Sequence, residues 1–176
     1  MKIAIAGTGY VSLTNAMLLA QHHEVVAIDI VPGKVATFNA KRSPIEDAEI
    51  VDFLLQKPLN FKATLDKREA FIGTDNVITA TPTDYELPTN CFNTISIESV
   101  FNGVLTIRSS AVLVIKSTVP VGYAPKLNQP SIIFSPKLLR EGRARYDKLH
   151  PSRIVVEEQS ERATMLAALL QESAVK

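Results

Sequence analysis

Residues 1–29 restrict the possible folds of this chain more than any other stretch. An apolar run at 2–7 leads into the glycine loop GTGYVS at 7–12, and residues 10–21 then carry apolar side chains at helical spacing. A second apolar run at 24–29 ends in an aspartate. This order predicts a strand, a helix and a second, parallel strand within about 28 residues, near the usual size of a βαβ unit.

The glycine loop is typical of a dinucleotide-binding βαβ unit. In such units the first glycine permits the tight turn out of the strand, and the second lets the backbone approach a pyrophosphate. The following helix offers free backbone N–H groups and the positive end of its dipole to the phosphates. We therefore expect four residues of this loop to contact a cofactor: Gly7, Gly9, Tyr10 and Val11.

Asp29 lies 22 residues after Gly7, at the end of the second predicted strand. A carboxylate there accepts a hydrogen bond from a ribose 2′-hydroxyl and repels a 2′-phosphate, so the expected cofactor is NAD rather than NADP. The alternative is a turn in an α/β protein that binds no nucleotide. The complete order of strand, loop, helix, strand and terminal acid favours the cofactor site.

The third glycine of the usual fingerprint is replaced by Ser12. That glycine lets the helix pack closely against the strand. A serine hydroxyl can bond back to the backbone carbonyl four residues earlier, and overpacking a tight site costs about 1–3 kcal/mol. We predict dinucleotide binding that is weakened but not abolished.

The rest of the chain continues the alternation of strands and helices. Further strands are predicted at 77–81, 111–117, 131–135 and 153–157, and helices near Pro32, around 46–56, at 94–107 and at 160–173, the last capped by Ser160. This alternation predicts an α/β fold with a doubly wound, mostly parallel sheet, Rossmann-like and in three layers. The length suits a single dinucleotide-binding domain over 1–176.

Composition excludes several classes of partner. The net charge is +1, with 19 basic and 18 acidic residues, which gives no reason to expect nucleic acid or a membrane surface. The single cysteine fits a reducing compartment, and no run approaches the length of a membrane helix. We expect a cytoplasmic protein. The spacing of histidines, cysteines and acids matches no metal site.

Six motifs occur in a fixed order: GTGYVS (7–12), SPIED (43–47), ATPTD (80–84), FNT (92–94), IKSTVPVG (115–122) and LREGRARYDKLHPSRIVV (139–156). Together they resemble the amino-terminal, NAD-binding half of UDP-glucose 6-dehydrogenases, in the UDP-glucose/GDP-mannose dehydrogenase family. The most specific of these motifs are IKSTVPVG (115–122) and the last one, which contains LREG and LHPSR. The resemblance spans essentially the whole chain.

The resemblance implies a function and further site residues. Such enzymes oxidise the primary alcohol of UDP-glucose to a carboxylate with two NAD molecules. It implies that Thr83 and Thr118 lie beside the cofactor, that Lys34 lies near the adenosine ribose with Asp29, and that Glu141 is the catalytic acid/base. Thr118 is also assigned to the catalytic set, and substrate contacts are assigned to Leu138, Leu139, Arg140 and Glu141.

Each of these assignments has a simpler alternative when the residues are taken alone. Thr118, which precedes a Val-Pro pair, would equally shape a turn. Glu141 beside Arg140 would be a solvated charge pair. Lys34, in the first turns of a helix, would be a surface lysine.

The chain departs from the family pattern in the substrate segment. The motif Ser-Pro-Glu-Phe-Leu is here Ser-Pro-Lys-Leu-Leu (135–139), which changes the local charge by two units. The family's nucleophile motif, Cys-x-Pro-Lys-Asp, is not in this sequence, and Cys91 is expected to be an inert thiol. We therefore expect a chain that is catalytically incomplete alone, without the central helix and the C-terminal sugar domain.

UDP-glucose binding is expected to be weak or absent, and a chain lacking most of the family's homodimer interface is expected to be a monomer or an adventitious dimer. Two alternatives stay open: a non-catalytic nucleotide-binding remnant, and a domain of a dehydrogenase that acts on a related nucleotide sugar.

Overall fold

A computed structural model describes residues 1–43, 54, 58–88, 90–136 and 154–172. Its main sheet contains the strands β1 (Lys2–Ala6), β2 (Glu24–Ile28), β3 (Phe61–Thr64), β4 (Asn76–Thr79), β7 (Val112–Ile115) and β8 (Ile132–Phe134). A separate hairpin pairs β5 (Tyr85–Glu86) with β6 (Cys91–Phe92). The helices are α1 (Tyr10–Leu19), α2 (Pro32–Asn39), α3 (Lys67–Phe71), α4 (Ile95–Ile107), α5 (Tyr123–Lys126) and α6 (Glu161–Glu172).

The six strands of the main sheet are all parallel, in the order β3-β2-β1-β4-β7-β8. The chain builds one half of the sheet outward from β1, then returns to the other side of β1 to start the second half. The register places Ile3 of β1 opposite Val25 of β2 and Asn76 of β4. A crevice forms where the strand order reverses, outside the carboxyl ends of the strands.

Both faces of the sheet are covered, which explains why its strands are continuous apolar runs rather than alternating ones. On one face Ala4 packs with Phe71 of α3 and Phe101 of α4. On the other face Ile3 packs with Ala16 of α1 and Leu166 of α6. The predicted doubly wound fold in three layers is confirmed. Within the described residues, no helix is long and apolar enough to cross a membrane.

Four features were not predicted: β3, α3, the β5–β6 hairpin and the short helix α5. The FKAT sequence of β3 has no apolar run: Lys62 is exposed, and its two buried residues are Ala63 and Thr64. The strand predicted at 153–157 is wrong over 154–157. That stretch runs beside β8 but shares only isolated hydrogen bonds with its end, such as Glu157 N–H to Phe134 O at 3.0 Å.

Helix predictions agree better with the structure. Ser160 caps α6, because its hydroxyl oxygen accepts a hydrogen bond from Ala163 N–H at 3.1 Å. The helix predicted around 46–56 lies outside the described residues except for Leu54, which is buried.

Lys116 follows β7 and is only 5 % exposed. Its ammonium donates to Ser135 Oγ at 3.1 Å and to Ser135 O at 3.4 Å, and the Ser135 hydroxyl donates to Val155 O. Among the described residues no carboxylate forms an ion pair with it. Burial lowers the pKa of this ammonium from 10.5 to about 8, so the folded state holds a charge that it disfavours.

Replacing this buried charge is expected to stabilise the fold. Lys116→Met should raise the free energy of unfolding near neutral pH by up to about 3 kcal/mol, since the pKa falls from 10.5 to about 8 and one pKa unit corresponds to about 1.4 kcal/mol. The pKa is depressed in the folded state, so this lysine's contribution to stability rises as pH increases from about 8 towards 10.5. The advantage of the variant should therefore shrink over that range in urea denaturation.

Lys126→Met is the matched control, because Lys126 is exposed on α5. This variant should change the free energy of unfolding by less than about 0.5 kcal/mol, both near neutral pH and near pH 10.5. A Lys116→Met variant whose advantage does not change between these pH values would contradict the assignment of a strained charge to Lys116.

Candidate functional site

A cleft of about 630 Å³ lies over the carboxyl ends of the strands, where the strand order reverses. The loops that follow β1, β2, β4 and β7 form its walls. It brings together all the predicted cofactor residues, which come from four separate stretches of the sequence: Gly7, Gly9, Tyr10, Val11, Asp29, Lys34, Thr83 and Thr118. Contact of each with a cofactor stays a prediction.

The two glycines of the loop are needed for different reasons. Gly7 has a φ of +95°, and a Cβ on it would lie 3.0 Å from Ala80 O, so the fold itself requires glycine here. Gly9 has a φ of −80°, and a Cβ on it would meet nothing within 4 Å. The fold therefore does not require glycine at position 9, and the space beside it is open.

Ser12 is buried beneath the glycine loop, 1 % exposed. Its hydroxyl lies 3.4 Å from Ala80 O, at the end of the neighbouring strand. The expected back-bond to the carbonyl four residues earlier is therefore not the contact it makes, because Ala80 O lies within reach across the sheet. Thr14, two residues on, does make such a bond, to Tyr10 O at 2.6 Å. The predicted weakening of dinucleotide binding by Ser12 stays a prediction.

The amino terminus of α1 opens onto the cleft. Its first intrahelical bond runs from Leu13 N–H to Gly9 O at 2.9 Å, so the N–H groups of Tyr10 and Val11 precede the helical ladder. No acidic side chain lies in the first turn of α1. The positive end of the helix dipole is thus not offset by a neighbouring carboxylate within that turn, and this favours an anionic ligand.

The Asp29 carboxylate is held at both oxygens. Val31 N–H donates to Oδ1 at 2.9 Å, and the Thr8 hydroxyl donates to Oδ2. Lys34 is exposed on α2 and lines the same cleft. The cleft therefore has an anion-favouring end at α1 and a carboxylate at the end of β2.

A second, mainly apolar cavity of about 250 Å³ joins the cleft beside Asp29. Gly7, Asp29 and Pro82 border both spaces. Its walls include Ile28 at the end of β2, Ile30 in the loop that follows, and Phe71 and Val100 of helices α3 and α4. A flat apolar group attached near Asp29 could be buried there.

The threonine loops after β4 and β7 lie side by side and form one wall of the cleft. Ser117 Oγ donates to Thr81 O at 2.8 Å, which ties the two loops together. Ser96 of α4 donates to Pro82 O at 2.9 Å and fixes the first loop to its helix. Thr118 is exposed and Thr83 partly buried on the walls that these bonds hold.

Part of the predicted site lies outside the described residues. This applies to the catalytic assignment of Glu141 and to the substrate contacts assigned to Leu138, Leu139 and Arg140. Cys91 is exposed in β6, in the hairpin that follows β4. Within the described residues, no group of three or more histidines, cysteines and acids could hold a metal ion.

Among the cleft residues that sequence reasoning missed are Thr8 and Lys116, whose polar side chains have well-defined partners. Thr8 occupies the variable position between the glycines, and nothing in the motif signals that its side chain reaches Asp29. Burial of Lys116 could have been predicted from the sequence. This lysine directly follows the apolar run VLVI (112–115), which places it at the end of a buried strand.

Comparisons with known proteins agree with this geometry. A model of the UDP-glucose/GDP-mannose dehydrogenase family, NAD binding domain, matches residues 1–174. UDP-glucose 6-dehydrogenase from Streptococcus pneumoniae is 45% identical over 186 residues, covering 100% of this chain and 47% of that protein. The enzyme of the same name from Campylobacter jejuni is 44% identical and covers 91% of this chain and 42% of that protein. The chain thus spans about half the length of these relatives.

Solved structures share the fold. A UDP-glucose dehydrogenase from Pyrobaculum islandicum superposes with a TM-score of 0.84 at 26% identity, over 99% of this chain and 44% of that one. GDP-mannose dehydrogenase from Pseudomonas aeruginosa gives the same TM-score at 24% identity over the same shares, which supports the fold alone. The family model covers nearly the whole chain. The chain therefore belongs to the UDP-glucose/GDP-mannose dehydrogenase family and corresponds to the NAD-binding domain of that family.

Proposed function

We propose that this chain binds NAD in the cleft and supplies the cofactor half of a UDP-glucose 6-dehydrogenase. The observation that carries the proposal is the open space beside Gly9, at the amino terminus of α1 and on the path to the Asp29 carboxylate. The fold does not require glycine at position 9. We therefore infer that glycine is required there by a ligand that approaches the backbone.

The proposed orientation follows from the chemistry of the walls. The adenine enters the apolar cavity beside Phe71, and the adenosine ribose binds Asp29, with Lys34 nearby. The pyrophosphate lies against Gly9 and the N–H groups of Tyr10 and Val11. The nicotinamide end then points towards Thr83 and Thr118.

Bound NAD supplies a hydride acceptor. The proposed parent reaction oxidises UDP-glucose to UDP-glucuronate, and its four electrons require two NAD molecules. Glu141 is proposed as the acid/base and Thr118 as a catalytic neighbour, with Leu138, Leu139 and Arg140 along the substrate. Two bacterial relatives that carry the name UDP-glucose 6-dehydrogenase support this substrate over other nucleotide sugars.

Gly9→Ala is expected to separate binding from folding. Its Cβ would enter the open space at the proposed pyrophosphate position, so NAD affinity should fall at least about tenfold by titration calorimetry. Stability in urea should fall by less than about 1 kcal/mol, since no described atom lies within 4 Å of the added carbon. Gly7→Ala should instead destabilise the fold, because of its positive φ and the nearby Ala80 O.

Gly33→Ala is the matched control. A Cβ there also meets nothing within 4 Å, and Gly33 lies in α2, outside the set of residues that line the cleft. Its NAD affinity should equal that of the unaltered chain. Equal NAD affinity for the Gly9→Ala and Gly33→Ala variants would contradict the proposed position of the pyrophosphate.

A second prediction concerns turnover. The sequence holds Cys91 as its only cysteine and no Cys-x-Pro-Lys-Asp motif, so we expect it to be without the thiol on which the resemblance implies a covalent intermediate. The 176-residue chain with UDP-glucose and NAD should give no NADH absorbance above a blank without sugar. NADH formation that Cys91→Ser abolishes would overturn the interpretation of Cys91 as an inert thiol.

A further inference from the structure

We propose that Thr8 is a positioning residue that aims the Asp29 carboxylate into the cleft, and that it thereby sets the preference for NAD over NADP. The inference rests on the proposed NAD site. Thr8 stands at the variable position of the glycine loop, where the motif itself demands no particular side chain.

The backbone brings Thr8 to Asp29 through the pairing of β1 with β2. Ala6 lies opposite Ile28 in register, and Gly7 N–H donates to Ile28 O at 2.9 Å. Each strand therefore ends at the same level, and the next side chains along the two loops meet. Thr8 is 4 % exposed, so its hydroxyl has little access to water and donates to Asp29 Oδ2 instead.

The two donors to Asp29 come from different segments. Val31 N–H binds Oδ1 from the turn into α2, at 2.9 Å, and Thr8 binds Oδ2 from the loop after β1. Together they fix the rotation of the carboxylate about its Cβ–Cγ bond. Among the residues that the structure describes, each oxygen accepts one hydrogen bond, and a carboxylate oxygen can accept two. The second acceptor positions remain for the two ribose hydroxyls.

Loss of the Thr8 donor should affect NAD and NADP differently. A fixed carboxylate accepts from the 2′-hydroxyl of NAD and repels the 2′-phosphate of NADP. A carboxylate held by Val31 alone can rotate away from the ribose, which removes part of the attraction for NAD and part of the repulsion of NADP. The ratio of the two affinities therefore reports on positioning, whereas a general loss of structure would weaken both ligands together.

The test is Thr8→Val, which keeps the shape of the side chain and removes the hydroxyl. NAD should bind up to about tenfold more weakly by titration calorimetry, because the released carboxylate has to be ordered when the ribose binds. The ratio of NADP to NAD dissociation constants should fall at least about fivefold. Thr8→Ser, which keeps the donor, should restore both values to within about twofold of the original chain.

Thr14→Val is the matched control. Thr14 is also buried, 1 % exposed, and its hydroxyl also makes one hydrogen bond, but to Tyr10 O within α1. This variant should leave the NADP to NAD ratio unchanged. A ratio that falls equally in Thr8→Val and Thr14→Val would show a general effect of losing a buried hydroxyl and would overturn the proposal.

A double variant tests whether Thr8 acts through Asp29. In an Asp29→Ala background, Thr8→Val should change the ratio by less than about twofold, because no carboxylate remains to be positioned. The same fall in both backgrounds would contradict the inference. If the unaltered chain fails to bind millimolar NAD, the proposed function fails. If it binds and prefers NAD but Thr8→Val keeps that preference, this inference alone fails.

Discussion

The pairing of β1 on both of its edges is the constraint on which the cleft depends. β1 is bonded to β2 on one side and to β4 on the other, and its end is tied by Gly7 N–H to Ile28 O and by Ala80 N–H to Ala6 O. With both neighbours fixed, the chain can leave β1 only by a sharp turn. Gly7 makes that turn at a φ of +95°, with Ala80 O too close for a side chain. The direction of α1 and the position of the cleft follow from it.

The sequence predicts the part of the fold that local patterns determine. Buried parallel strands are continuous apolar runs, so β1, β2, β4, β7 and β8 could be found from their residues. β3 could not, because FKAT has an exposed lysine in its middle and no such run. The stretch 154–157 shows the opposite error: RIVVE has the composition of a strand, but its backbone shares only isolated bonds with the end of β8.

The residues of the candidate site also fall into those that the sequence predicts and those that it does not. Residues fixed by backbone requirements, such as Gly7 and Gly9, could be found from the motif, and those on the threonine loops from the resemblance to a family. Thr8 and Ser12 could not be interpreted from the motif, because their roles depend on which atoms of a neighbouring strand lie opposite them. Those atoms belong to residues 21 and 68 positions away in the sequence.

The hydrogen bond from Ser117 to Thr81 joins the two loops that form the far wall of the cleft. The loops are therefore ordered by the fold itself, through a contact that no ligand has to bridge. That bond removes part of the loops' conformational freedom during folding rather than during binding. A ligand that touches both loops therefore loses less affinity to loop ordering than one that would have to bring the loops together itself.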